Sequence, residues 1–194
     1  RLTEALQVSS SLGEELRATE IRLDLAGLAL AGDRAGEAAV LARQAAAWSR
    51  DHGLGGGEAV AQSILADALL RQGMPREALA AADRARALLE TSEDRELRIT
   101  VAVRLARLAA TGNPGEALRQ LRHAAEEAAS LGFATAGLEA RLALGEVQRS
   151  AGDPAAAATL AAVRKEAETR GFKRLAVAAG AAVPARSGVP LAAL

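Results

Sequence analysis

The chain has 194 residues, 50% of them apolar, with Lys plus Arg matching Asp plus Glu at 24 each. A net charge of zero argues against a general nucleic-acid binder or an acidic-membrane binder. The lack of cysteine excludes a disulfide framework and a thiolate metal site. Aromatics make up 2% of the chain, so a core must be built from Ala, Leu and Val. Ala and Leu are strong helix formers, and short side chains let helices approach closely, so the expected fold is all-α. No stretch approaches the roughly eighteen apolar residues that span a bilayer, and a cytoplasmic location is expected. The chain opens on Arg1 rather than Met, and we read it as a piece of a longer protein.

Residues 1 to 12 read as the second helix of a repeat whose first helix is missing. Leu2, Ala5, Leu6 and Ser9 fall at helical spacing, and Gly13 stops them. A helix follows from about Glu14 to Ala31, with Leu16, Ile21, Leu25 and Leu28 on one side, and Gly32-Asp33 ends it. Its partner runs from Glu37 to Arg50, with Ala38, Leu41, Ala42, Ala45 and Trp48 as the apolar stripe. Gly53-Leu54-Gly55-Gly56-Gly57 reads as the most flexible linker of the chain. Helices from about Glu58 to Gln72 and Pro75 to Leu89 come next. Pro75 and Pro114 stand where a first-turn proline loses no hydrogen bond. At Thr91-Ser92-Glu93-Asp94 no glycine is available, and Ser92 is the expected cap of a helix over Asp94 to Ala110. Helices over Gly115 to Ser130, Thr135 to Ser150, Pro154 to Thr169 and Lys173 to Ala182 complete the series. Pro184 ends it, and residues 183–194 are expected to be a frayed tail.

Two interleaved turn series organise these elements. Gly32, Gly73, Gly112 and Gly152 are 41, 39 and 40 residues apart, and Gly13, Gly53, Gly132 and Gly171 run out of phase with them, with a gap at Glu93. Two turns per period of about 40 residues mean two helices per repeat. Neither helix of a pair buries its apolar stripe alone, so neighbours must stack. The expected architecture over residues 1–182 is a right-handed superhelical α-solenoid of antiparallel helix pairs, each with an A helix and a B helix.

The pattern resembles the tetratricopeptide repeat. Leu65-Ala66, followed by Gly73-Met74-Pro75-Arg76-Glu77-Ala78 and then Ala82 and Ala85, matches the family's alternation of large and small positions. Leu25-Ala26 with Ala38, Ala42 and Ala45 is similar, as are Leu105-Ala106 with Ala117, Leu121 and Ala124, and Leu144-Gly145 with Ala157 and Ala161. The chain departs from the family in its longer period, in Leu or Ala where the family has aromatics, and in lacking the closing proline of the repeat. Long, Ala-rich arrays of this kind look like the regulatory regions of large bacterial signalling proteins, among them serine/threonine kinases, winged-helix regulators and STAND ATPases.

Candidates for chemistry are few. Gly53 to Glu58 has neither the preceding strand nor the following Lys-Ser or Lys-Thr of a phosphate loop. His52 and His123 are the only histidines and lie 71 positions apart, without the close pair that metal sites use. His123 is expected to pair with Glu126 or Glu127 along a helix. Asp51 and His52 are adjacent, a spacing that does not make a triad, and no serine sits in a nucleophile elbow. Trp48 reads as a residue packed on the next repeat, with a partner hot spot as the other reading. Phe133 and Phe172, each after a turn glycine, read as plugs between repeats. We therefore expect no catalytic residues, no metal and no cofactor.

The resemblance places the binding surface on the A helices, which line the concave groove of such arrays. The positions two and six after the repeated Leu supply Asp67, Arg71, Arg107 and Glu146, with Arg149 at five in the fourth repeat. The Lys and Asn of the family's carboxylate clamp are missing there. The expected function is a non-catalytic scaffold or regulatory module that binds a protein, a peptide or a sister domain, with neither nucleic acid nor membrane as partner. The rival expectation is a small-effector sensor that controls an attached catalytic or DNA-binding domain.

Overall fold

A computed structural model describes residues 14–182; the expectations for residues 1–12 and for the tail lie outside the described residues. Among them it shows nine α-helices and no strand: α1 Glu15–Ala31, α2 Ala35–Asp51, α3 Gly55–Arg71, α4 Pro75–Glu90, α5 Arg95–Ala109, α6 Pro114–Leu131, α7 Ala134–Ser150, α8 Ala156–Thr169 and α9 Lys173–Ala182. The odd-numbered helices are the expected A helices and the even-numbered ones the B helices. The fold divides into two compact units, with the boundary between Leu108 and Ala109. In the first unit α1 to α4 pack each on the next, and in the second α6 to α9 do the same; A helices two apart also touch, α1 on α3 in the first unit and α7 on α9 in the second. This is the packing of a helical repeat.

Six of the turns share one geometry. Asp33, Gly53, Gly73, Gly132, Gly152 and Gly171 adopt the left-handed conformation. In each turn the next residue's N–H donates to the carbonyl five positions back, as in Met74 to Leu69 at 2.9 Å and Phe172 to Ala167 at 2.8 Å. These are Schellman turns, which satisfy carbonyls that a helix end leaves open. The first turn ends its helix at Gly32-Asp33, as expected, and its left-handed residue is Asp33, at φ 58°, with Arg34 N–H donating to Ala29 at 2.8 Å. Asp tolerates this region through its short polar side chain. The turn before α6 is different again. Asn113 N–H donates four residues back to Ala109, and the Asn113 side chain caps α6 by accepting from Glu116 N–H at 3.1 Å.

The expected flexible linker is a packed helix start. Gly55, Gly56 and Gly57 form the first turn of α3. A β-carbon on Gly56 would stand 2.9 Å from Leu97 Cδ2, and one on Gly57 would stand 2.8 Å from Ser49 Oγ. The glycines let α3 come close to α2 and α5. At the junction of α4 and α5, Asp94 rather than Ser92 caps α5: its carboxylate accepts from Leu97 N–H at 2.9 Å.

The B helices bury one stripe of small residues. The steps are Ala38, Ala42, Ala45 and Ser49 in α2, and Ala117, Leu121, Ala124 and Ala128 in α6, with Ala78, Ala82 and Ala85 in α4. In α8 the stripe is Ala156, Leu160, Val163 and Ala167, whereas Ala157 and Ala161 are exposed. The sequence alignment on Gly152 is therefore one residue late. Pro154 and Ala155 form a turn, held by Asp153 accepting from Ala155 N–H at 2.9 Å, and α8 begins only at Ala156. The helix phase then follows packing. Leu160 is fully buried against Gly145 of α7, where a β-carbon would stand 2.7 Å from Leu160 Cγ. The matching places in the first unit hold alanines on both sides, Ala26 with Ala42 and Ala66 with Ala82, all within one core. A large residue facing a glycine fills the space that two alanines fill elsewhere.

Candidate functional site

Asp67 and Arg71 lie one turn apart on α3 and face each other. Arg71 Nε donates to Asp67 Oδ1 at 2.9 Å and Nη2 to Oδ2 at 3.3 Å. Arg71 Nη1 also reaches across to α1, donating to the Leu30 carbonyl at 3.1 Å, and Asp33 lies 3.9 Å away. The last carbonyls of a helix have no partner within it, so a guanidinium there both satisfies a carbonyl and complements the negative end of the helix. Hydrogen bonding to Asp67 pushes the Arg71 pKa above its ordinary value. Both side chains remain about 40% exposed, at 40% and 42%.

Arg149 plays the same part in the second unit. Its Nη1 donates to the Ala182 carbonyl at the end of α9, at 2.9 Å. Glu146 sits three residues earlier on α7, and its backbone carbonyl accepts from Ser150 Oγ at 3.1 Å. Arg107 lies in the last turn of α5. The structure thus brings Asp67 and Arg71 together, puts Glu146 and Arg149 on one helix, and joins Arg71 and Arg149 to neighbouring A helices. The row expected across successive repeats is described in two parts, one in each unit.

The most tightly built polar group escaped the sequence reading. Glu58, in the first turn of α3, has a side chain only 3% exposed. Arg84 of α4 donates from Nε to Oε1 and from Nη2 to Oε2, both at 3.0 Å. Arg50 of α2 donates from Nε to Oε1 at 2.9 Å. Burial raises the Glu58 pKa, but the bonds from Arg84 and Arg50 outweigh it and hold the carboxyl below its ordinary value of 4.5. The one available signal was a lone carboxylate directly after three glycines, where no earlier side chain of its own helix shields it.

The second unit carries a related cluster beside a cleft. Glu166 of α8 accepts from Arg141 Nη1 of α7 at 2.7 Å, and Arg170 Nε lies 3.1 Å from its other oxygen. The cleft next to them holds about 190 Å³ and is walled by Phe133, Gly137, Leu138 and several alanines. Phe172 packs on the core of the second unit as a plug should, while Phe133 lines the cleft. Trp48 is half-buried and stacks on His52 of its own helix end, with ring centroids 4.2 Å apart. His52 Nδ1 lies 2.8 Å from the Trp48 carbonyl, and His123 is exposed on α6.

Comparison with known proteins finds no match among family models, curated proteins or solved structures. Among the described residues no helix is long and apolar enough to cross a membrane.

Proposed function

We propose that this chain is a non-catalytic protein-interaction module, a tetratricopeptide-like regulatory part of a larger signalling protein. It would present fixed polar groups on its A helices to a peptide, a helix or a sister domain. The observation that supports this best is the Asp67–Arg71 pair. It stays open to solvent, yet its geometry is held by the Leu30 carbonyl as well as by the pair itself. A side chain already held in place loses little rotamer freedom when a partner docks. A neighbouring acid and base select a partner with a charge pattern of its own, and steer it in a way that weakens with salt.

The test is a pull-down followed by substitution. Asp67→Ala and Arg107→Ala should weaken capture of the partner, and Arg86→Ala on α4 should leave it intact. Arg84 is unsuitable as the control because it holds Glu58. Equal losses from all three variants, or a loss only from Arg86→Ala, would move the contact away from the A helices.

The small-effector reading has its own support in the cleft of the second unit. On that reading a ligand there alters the packing of α6, α7 and α8 and so acts on an attached kinase, STAND ATPase or winged-helix domain.

A further inference from the structure

The two units use the same valley differently. It lies over an A helix, between the B helices that flank it. In the first unit the valley over α3 contains Glu58, with Arg50 from α2 and Arg84 from α4 closing on its carboxylate. Helix α7 begins at 134 and α3 at 55, so position 137 corresponds to position 58. The residue there is Gly137, and the counterpart of Arg50 is Ala129. Both line the cleft. With Ala162 at the counterpart of Arg84, the second unit lacks the carboxylate, its stem and both of its guanidiniums at these positions, and a cleft stands there instead. The nearest neighbouring atom to a β-carbon built on Gly137 is Ala128 Cβ, at an ordinary 3.5 Å.

The charges have moved from the floor of the valley to its rim. Arg141 and Arg170 share one carboxylate, Glu166, which leaves the trio with one positive charge in excess. Guanidinium groups offer several N–H donors each and favour carboxylates. The cleft therefore combines apolar walls of alanine, glycine and Phe133 with a cationic rim. The occupant that matches is the piece of Glu58 that the second unit lacks: a carboxylate on a short apolar stem.

We propose that the cleft over Gly137 is a binding site for a monocarboxylate with a short aliphatic or aromatic stem. The source is either a small free acid or the carboxyl terminus of a peptide, and both place the same group against Arg141 and Arg170. The stem lies against Phe133 and the alanines, and the carboxylate meets the rim. The site lies over the first half of α7, whereas Glu146 and Arg149 stand near the end of that helix. It rests on the small-effector reading only for its consequence, since a ligand can bind here without any attached domain responding.

The test uses the whole chain and follows the Phe133 ring signals by NMR, the chain having only two phenylalanines. Titration with hexanoate should shift them saturably, and hexanamide should not. Gly137→Leu fills the cleft and should abolish the shift without lowering the melting temperature, because leucine favours a helix over glycine. Arg170→Gln, at a side chain that is 50% exposed, should keep the fold and weaken binding about tenfold. An acetylated dipeptide ending in a leucine carboxylate separates the sources: tighter binding than hexanoate assigns a peptide terminus, weaker binding a free acid. No shift with either acid, an equal response to acid and amide, or hexanoate binding that survives both substitutions would overturn the proposal.

Discussion

Arg84 lays its guanidinium along both oxygens of Glu58, a residue 26 positions earlier on the preceding helix, with the two bonds each 3.0 Å long. The carboxylate is buried, whereas the side chains that neutralise it are about half exposed, at 47% for Arg84 and 54% for Arg50. That asymmetry decides what each substitution does. Glu58→Leu removes the buried charge and leaves two arginines that water can solvate, so it should change stability by about 1 kcal/mol or less. Removing both arginines strands the carboxylate, and a stranded buried charge costs about 3–5 kcal/mol. Urea denaturation of Glu58→Leu beside Arg50→Ala/Arg84→Ala checks the order; a less stable Glu58→Leu would show that the carboxylate is solvated.

The same clamp should appear in the acid limb of stability. The folded pKa of Glu58 lies below 4.5 because of Arg84 and Arg50, despite the opposing burial. A group with a depressed folded pKa contributes stability that is fully present above the unfolded value and lost as pH falls through the folded one. Glu58→Gln should therefore flatten the loss of stability below about pH 4.5 and leave the slope above pH 6 unchanged. Melting curves across that range in parent and variant make the comparison. Parallel curves would mean that Glu58 titrates normally.

The phase of α8 is open to a direct test. Ala156 is buried and Ala157 is exposed. Ala156→Leu and Ala78→Leu should each cost about 1–3 kcal/mol through overpacking, while Ala157→Leu stays within about 0.5 kcal/mol. Chemical denaturation of the three variants ranks them, and the reverse order for positions 156 and 157 would restore the alignment on Gly152.

Gly145 and Leu160 should prove coupled. Gly145→Ala gains helix propensity of about 1 kcal/mol but drives a methyl into Leu160, and the net should be destabilising by about 1–2 kcal/mol. In the Leu160→Ala background the same change should become stabilising, because it recreates the alanine pair of the first unit. A double-mutant cycle measures this sign reversal.

Asp33 occupies the left-handed slot that glycine fills in five other turns. Asp33→Gly should leave stability unchanged or raise it by up to about 1 kcal/mol, and Gly73→Ala should lower it by about 1–2 kcal/mol. Thermal melts of the two variants suffice.

The sequence alone determined the parts of this protein that depend on near neighbours. Turn glycines recur with one period, helix stripes show as alanine and leucine at three- and four-residue steps, and Asp67 and Arg71 are one helical turn apart. Each of these is an interaction within a few positions, so counting along the chain finds it. The tertiary structure decided what depends on distant segments. Glu58 looks like any helix-surface acid until Arg50 and Arg84 arrive from the helices on either side. The three glycines before it look like a linker until Ser49 and Leu97 come against them. Arg71 and Arg149 look like free groove residues until the ends of α1 and α9 supply carbonyls. The start of α8 could not be counted from Gly152, because a helix settles in the phase that buries Leu160 against Gly145. Where two elements meet, the free energy of close packing sets the register, and that term is written on both surfaces at once rather than on either strand of sequence.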